Sequence, residues 1–390
     1  MFKELSELRH IASFRRVFLP LSATFFVYTF GWGIVSPIFS IYVNQVTGSP
    51  TLTGLVLSLT TMAGIFLNIP FGILEDRLNM KRVLQVTLLA YAGLAVLYPL
   101  AHTVPSLIAL SIARGVASSF LWLTSWAYVL SYAEKQVKGK ETGFFSDMND
   151  LASAVSPVLG GFVALLSFFL PFYLLAVTSL AACGIATAFL HESPPPQRTP
   201  WRTQVDTVAR YFRDRRFVKT ILLVVVFYAI INVYYGFLAI LLNGEGLGYD
   251  AIGVVLTVAL APAVALEVPM GNLVDRIGIR RTLAIAIAAT AGTALLIPFS
   301  GDLYYALVVV TAFTVSYTAI FIALYSRMSD VMQKDKVAMT GAIATFKDLG
   351  YTLGPLSAGF LIPVVGLHGT FLGAGAAFLV LLPLALTLHD

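Results

Sequence analysis

The chain has 390 residues, 58% of them hydrophobic and only 12% charged, and a formal net charge of +5. Soluble domains carry about 25% charged residues, so this composition, with a mean hydropathy of +0.85, excludes a soluble globular protein and places the chain in a bilayer. The basic excess follows from membrane orientation rather than from affinity for nucleic acid, as the position of each Lys and Arg shows.

A helix that crosses the hydrocarbon needs about 20 mostly apolar residues. Twelve such spans are predicted, at 17–45, 51–74, 81–101, 105–133, 141–167, 170–190, 217–243, 250–273, 280–299, 302–332, 338–364 and 367–388. The opening MFKELSELRHIASFRR lacks the apolar run and cleavage site of a signal peptide. Its Phe2, Leu5, Leu8 and Ile11 fit either one face of an interfacial helix or an unstructured tail. Between spans 2 and 3 lies GILEDRLNMKRVL, residues 72 to 84, which packs five charged side chains between apolar neighbours.

Span 4 carries Arg114, nine residues in from its start and so about 13 Å deep. An Arg near the bilayer centre costs at least roughly 2.5 kcal/mol on insertion scales, so it must face a cavity or a partner. Span 5 sets Asp147 and Asp150 three residues apart on one face. Asp150 also lies about 13 Å deep, counted from the other surface, which predicts that it meets Arg114. Low dielectric favours the protonated carboxyl and a nearby guanidinium favours the charged one, and a group balanced that way can load and release protons. The single cysteine, Cys183 in span 6, rules out an intrachain disulfide.

Residues 191–216, HESPPPQRTPWRTQVDTVARYFRDRR, read as a linker. The prolines stop span 6, and Trp201, Val205, Val208 and Phe212 set an apolar stripe for a basic surface helix. Glu267 is expected near the end of span 8, beside GNLVDRIGIRRTL, residues 271 to 283, which repeats the first charged motif 199 positions later. In span 11 Lys347 adjoins Asp348; adjacent residues do not share a helix face, so a structural pairing fits at least as well as a functional one.

Cytoplasmic connections accumulate Lys and Arg. Of the 25 basic residues, 22 fall on the two termini and the connections that share their side, Arg114, Arg327 and Lys347 fall within spans, and the opposite connections hold none. Both termini are therefore expected in the cytoplasm. The duplication extends further, since Gly54 and Pro70 pair with Gly253 and Pro269 at an offset of 199. At an offset of 198, GFFSDMNDLASAVSPVLGGF pairs with GAIATFKDLGYTLGPLSAGF, superposing Asp150 on Asp348, Pro157 on Pro355 and Gly161 on Gly359. Six spans separate the copies, so the repeats are parallel about an axis along the membrane normal.

These features resemble the major facilitator superfamily, whose connection between spans 2 and 3 carries G-x-L-x-D-R-x-G-R-[KR]. Gly72, Leu74, Asp76, Arg77, Lys81 and Arg82 match it, with Asn79, which tolerates a left-handed turn, at the second glycine. Gly271, Leu273, Asp275, Arg276, Gly278, Arg280 and Arg281 match the second copy. The resemblance covers essentially the whole chain and is strongest to the drug:proton antiporter, or multidrug efflux, branch. It implies an all-α integral membrane protein of twelve transmembrane helices in two parallel six-helix halves, residues 1–190 and 217–390, joined by the 191–216 linker. It implies a transporter and not an enzyme, a monomer in the plasma membrane, working by alternating access on a small-molecule substrate, with protons and the lipid bilayer as partners, no nucleic acid and no cofactor.

In that family the motif joins a cytoplasmic charge latch between the halves. Here the latch set is Gly72, Asp76, Arg77, Lys81, Glu134, Gly271, Asp275, Arg276, Arg280 and Asp330. A carboxylate gains at a helix N-terminus, so Asp76 is expected at the start of span 11 and Asp275 at the start of span 5. The resemblance gives Arg114 a role in proton coupling or anionic-substrate contact; the depth and spacing of Asp150 and Asp147 on span 5 make those two carboxylates its candidate partners. SPVLGG at 156–161 resembles the exporter motif G-P-x-x-G-G with Ser156 at the glycine, although small residues also serve close helix packing.

Spans 1, 4, 7 and 10 line the cavity in this fold, which nominates Phe25, Tyr28, Trp32, Trp122, Trp126, Tyr228, Asn232, Tyr235, Tyr317 and Phe321. No glutamine lies mid-membrane, which disfavours a sugar site, and an apolar aromatic cavity suits an amphipathic or drug-like molecule. A G-x-x-x-x-G-K-[ST] nucleotide motif is missing, so the energy comes from a gradient. The expectation is proton-coupled efflux of hydrophobic or amphipathic compounds. The competing readings are a symporter of a small organic solute, a lipid flippase and, from another class, an intramembrane aspartyl protease built on Asp150 and Asp348.

Overall fold

The computed structural model describes residues 14–74, 79–132, 138–191, 210–331 and 336–387. A short π-helical turn, Phe14–Phe18, leads into α1 (Leu19–Thr47); then follow α2 (Pro50–Leu74), α3 (Met80–Leu97), α4 (Val104–Tyr132), α5 (Lys138–Leu166) and α6 (Leu170–Phe189). The second six are α7 (Arg215–Gly244), α8 (Tyr249–Ile277), α9 (Ile279–Leu296), α10 (Leu303–Val331), α11 (336–365) and α12 (367–386), the last two parted at Gly366 with φ 76°. These are the twelve transmembrane helices expected. The interfacial N-terminal segment and most of the linker helix, with Trp201, Val205 and Val208, lie outside the described residues.

Local chemistry explains the breaks. Gly48 closes α1 at φ 61°, a left-handed conformation that glycine adopts freely. Asn79 is not in the left-handed turn expected from its place in the motif: it is extended, and its side chain accepts the Arg82 backbone N–H at 3.2 Å to cap α3. Its counterpart Gly278, at φ 85°, keeps the glycine conformation before α9. Both third helices of the repeat, α3 and α9, end in a 3-10 turn holding a proline, Pro99 and Pro298, 199 residues apart.

Within the first half α1 packs on α5 and α6, α2 on α4, and α3 on α4 and α6; within the second, α7 packs on α11, and α9 on α10. Two buried clusters, around Phe18, Leu84 and Phe145 and around Val35, Tyr98 and Phe172, fill the first half, and one continuous cluster fills the second. The halves meet where α2 packs on α11 and α5 on α8, two contacts related by the internal repeat. A Cβ on Gly54 would stand 2.9 Å from the Gly359 Cα, and one on Gly253 would stand 3.1 Å from the Gly161 Cα. Backbones approach this closely because both faces are glycine. Thr51 Oγ1 donates to the Gly359 carbonyl at 2.9 Å and Ser58 Oγ to the Thr352 carbonyl at 2.9 Å, while the Val158 N–H donates to Thr257 Oγ1 at 2.8 Å. The glycine contacts lie near the helix ends remote from the basic connections, so the halves are joined at that face.

A second pair of crossings uses the repeat differently. On α1, a Cβ at Gly33 would fall on the Ser156 hydroxyl of α5; on α7 the equivalent residue is Asn232, and the helix facing it, α11, supplies Gly354 instead. The small residue has changed sides while the crossing is kept.

Candidate functional site

Between the halves, at mid-depth, lies a cavity of about 570 Å³ lined by Trp32 of α1, Asp150, Ser153 and Ala154 of α5, residues of α7, α8 and α10, and Tyr351 of α11. From α7 come Phe227, Tyr228, Ile231, Asn232 and Tyr235, and from α10 Tyr317, Thr318 and Phe321. The wall is aromatic because α7 offers residues 228, 231, 232 and 235, spaced for one helical face. Tyr235 and Tyr317 join their hydroxyls across it. Asn232 is buried, and its amide donates to the Tyr228 carbonyl at 2.8 Å, which fixes the side chain against its own helix.

Two carboxylates face this cavity, Asp150 from the first half and Glu267 from the second, and Asp147 is a further charged neighbour of Asp150. The sequence places Glu267 near the end of span 8, six residues before residue 273. In the structure α8 runs to Ile277, which sets Glu267 about 15 Å from that end. Leu260 and Glu267 are seven residues apart, two turns on one face, and both line the cavity. That spacing was the signal in the sequence.

Arg114 is not beside Asp150. It is 7% exposed, its Nη2 donates to Thr60 Oγ1 at 2.7 Å, and its guanidinium carbon lies 4.4 Å from the ring centroids of both Trp32 and Phe39. Equal depth did not imply contact, because α4 turns Arg114 toward α1 and α2 while α5 turns Asp150 toward α8. Lys347 and Asp348 point apart, as neighbours on a helix must. Lys347 Nζ donates to Tyr325 Oη at 2.6 Å and lies 5.3 Å from the Tyr228 ring, within the second half, whereas Asp348 faces Gly64 of α2.

Of the residues nominated for the cavity, Trp32, Tyr228, Asn232, Tyr235, Tyr317 and Phe321 are in its wall. Tyr28 is instead core: it is buried, with its ring 4.8 Å from that of Tyr91 on α3. Trp122 packs on Phe25 and Trp126 on Phe145, between α4 and its neighbours α1 and α5, and neither belongs to this wall. On α1 one turn is enough to move a ring from the cavity, at Trp32, to the bundle interior, at Tyr28, whereas Trp122 is exposed.

Asp76, Arg77 and Glu134 of the latch set lie outside the described residues, as does the surrounding of Gly72 at the end of α2. Lys81 donates to the Thr187 carbonyl at 2.9 Å and so ties α3 to α6 within one half. Asp275, Arg276, Arg280 and Asp330 are exposed. Gly271 has open space around its Cα.

Two pseudo-symmetric helical bundles around a mid-membrane cavity, joined at one face, define a membrane transporter rather than an enzyme. The chain belongs to the Major Facilitator Superfamily, whose family model matches residues 21–252 and 235–389. It is similar to Multidrug resistance protein 2 of Bacillus subtilis, at 22% identity over 96% of this chain and 95% of that protein. Its fold is that of the nucleoside transporter NupG, with a TM-score of 0.80 at 14% identity over 94% of this chain and 97% of NupG. A bacterial homologue of the human lysosomal transporter Spinster aligns with a TM-score of 0.77 at 14% identity, over 96% of this chain and 97% of that one.

Proposed function

We propose that this transporter exports hydrophobic or amphipathic small molecules in exchange for protons, across the plasma membrane and as a monomer, with both termini and the basic connections cytoplasmic. The observation that carries the reading is the cavity wall: aromatic and apolar over most of its area, with Asp150 and Glu267 as its acidic groups. Such a wall takes up apolar molecules by desolvation and disfavours anions, so neutral and cationic amphipaths fit it. The multidrug resistance protein of Bacillus subtilis supports the efflux direction.

Residues 1–190 and 217–390 are the rocking units, with 191–216 as their tether. The close glycine contacts at the face remote from the basic connections support a state closed to the outside and open to the cytoplasm. Substrate enters with Asp150 ionised; after the halves rock, a proton from outside neutralises Asp150 and favours release, and the proton leaves to the cytoplasm after return. One proton moves inward as substrate moves outward. In the reverse state Asp76, Arg77, Asp275, Arg276 and Arg280 engage Glu134, Asp330 and the facing helix ends.

The test is transport of ethidium by the purified protein in liposomes under an imposed pH gradient. Uphill movement toward the acidic compartment, lost in Asp150→Asn while gradient-free exchange persists, is the expected result. Uphill movement by Asp150→Asn would remove that residue from coupling, and co-directional movement of probe and protons would make the protein a symporter.

A further inference from the structure

We propose that Arg114 is a positioning residue that acts through Trp32, holding its indole as a fixed aromatic wall of the cavity. The inference rests on that cavity being the substrate site. Trp32 has two sides: it lines the cavity, and its ring centroid is 4.4 Å from the Arg114 guanidinium carbon. Phe39, two turns further along the same face of α1, touches the same guanidinium at 4.4 Å, and its ring centroid is 5.4 Å from that of Trp32. Phe39 and Arg114 therefore brace the indole from behind.

The electrostatics explain why the guanidinium stays. At 7% exposure it makes a hydrogen bond from Nη2 to Thr60, and Nε and Nη1 have no acceptor among the described residues. A buried cation with most of its donors unmet is costly, and the negative faces of the rings offset that cost. The cation and the rings hold each other, and the cavity receives a rigid indole plane. Rigid aromatic surface binds aromatic guests without ordering a loose side chain first. Arg114 thus sets a preference for aromatic over aliphatic amphipaths without touching either.

The test uses the full chain in detergent with Trp122→Phe, Trp126→Phe and Trp201→Phe, leaving Trp32 as the reporter. In Arg114→Met, a side chain of similar reach without charge, Trp32 anisotropy falls and acrylamide quenching rises. Binding of tetraphenylphosphonium weakens about tenfold, the scale of a desolvated cation–π contact, while binding of tetrapentylammonium holds. Arg114→Lys, which keeps the cation, recovers most of both signals. Unchanged Trp32 signals in folded Arg114→Met, or equal loss of the two probes, would overturn the proposal. Should Arg114→Met fail to fold, Trp32→Leu decides: it must weaken tetraphenylphosphonium selectively, and equal loss refutes the role. If the parent protein binds neither probe, the reading of the cavity as an amphipath site fails, and the anisotropy and quenching still decide whether Arg114 holds Trp32.

Discussion

Gly54 of α2 lies against Gly359 of α11 so closely that a Cβ on Gly54 would stand 2.9 Å from the Gly359 Cα, and the repeat reproduces the contact between Gly253 and Gly161 at 3.1 Å. The two contacts are the pseudo-twofold axis made visible in backbone. Each joins one half to the other, so a methyl group placed there pushes the halves apart rather than loosening either. Gly54→Ala should destabilise this closed face by about 1–3 kcal/mol, the usual cost of overpacking. Spin labels at His102 and Gly301, one on each half of that face, should report a longer mean distance in Gly54→Ala, with transport lost and the fold retained. An unchanged distance distribution would show that the contact does not control the closed state.

The crossing of α1 and α5 yields a compensating pair. Gly33→Ala places a methyl on the Ser156 hydroxyl, which in the native protein donates to the Ala152 carbonyl at 2.7 Å. The single substitution should lower the Tm. Adding Ser156→Gly, which reproduces the arrangement used by α7 and α11, should restore most of the loss; a strictly additive double variant would refute direct contact.

Acidification should weaken binding of a cationic probe such as tetraphenylphosphonium. Protonating Asp150 removes a negative charge from the cavity, so affinity is present at higher pH and is lost as pH falls through the titration of that group. Asp150→Asn should bind weakly with a flattened pH profile, and Glu267→Gln should weaken binding while keeping the pH dependence. Titration of the probe by isothermal calorimetry across a pH series checks all three, and a pH profile in Asp150→Asn equal to the native one would move the sensing group elsewhere.

Lys347 and Tyr325 should respond asymmetrically to substitution. The ammonium donates to Tyr325 Oη at 2.6 Å and lies over the ring of Tyr228. Tyr325→Phe strips the ammonium of that acceptor and should lower the Tm. Lys347→Met removes the charge together with its demand, and should leave the Tm near or above the native value. Thermal unfolding in detergent distinguishes the two, and a larger loss in Lys347→Met than in Tyr325→Phe would contradict this account.

The architecture was legible because its cause is one-dimensional. Apolar runs long enough to cross a bilayer, basic residues confined to alternate connections, and a repeat at offsets of 198 and 199 are all properties of residue order. They determined twelve helices, two parallel halves, and the pairing of α2 with α8 and α5 with α11 by symmetry. The repeat also marked Gly54, Gly161, Gly253 and Gly359 as equivalent, without saying that they would face one another.

Facing was decided by tertiary structure. Arg114 and Asp150 share a depth but not a direction: a helix distributes side chains around its axis, and which side meets a neighbour depends on how twelve helices pack together. For the same reason Tyr28 belongs to the core and Trp32, one turn on, to the cavity. Glu267 faces the cavity because the packing of α8 turns the side carrying Leu260 and Glu267 toward it. Sequence by itself determined the membrane fold, its duplication and its basic face, since hydrophobicity and charge act along the chain. Only the packing of the helices decided which polar groups meet in the cavity, since that depends on rotations about helix axes that no local pattern specifies.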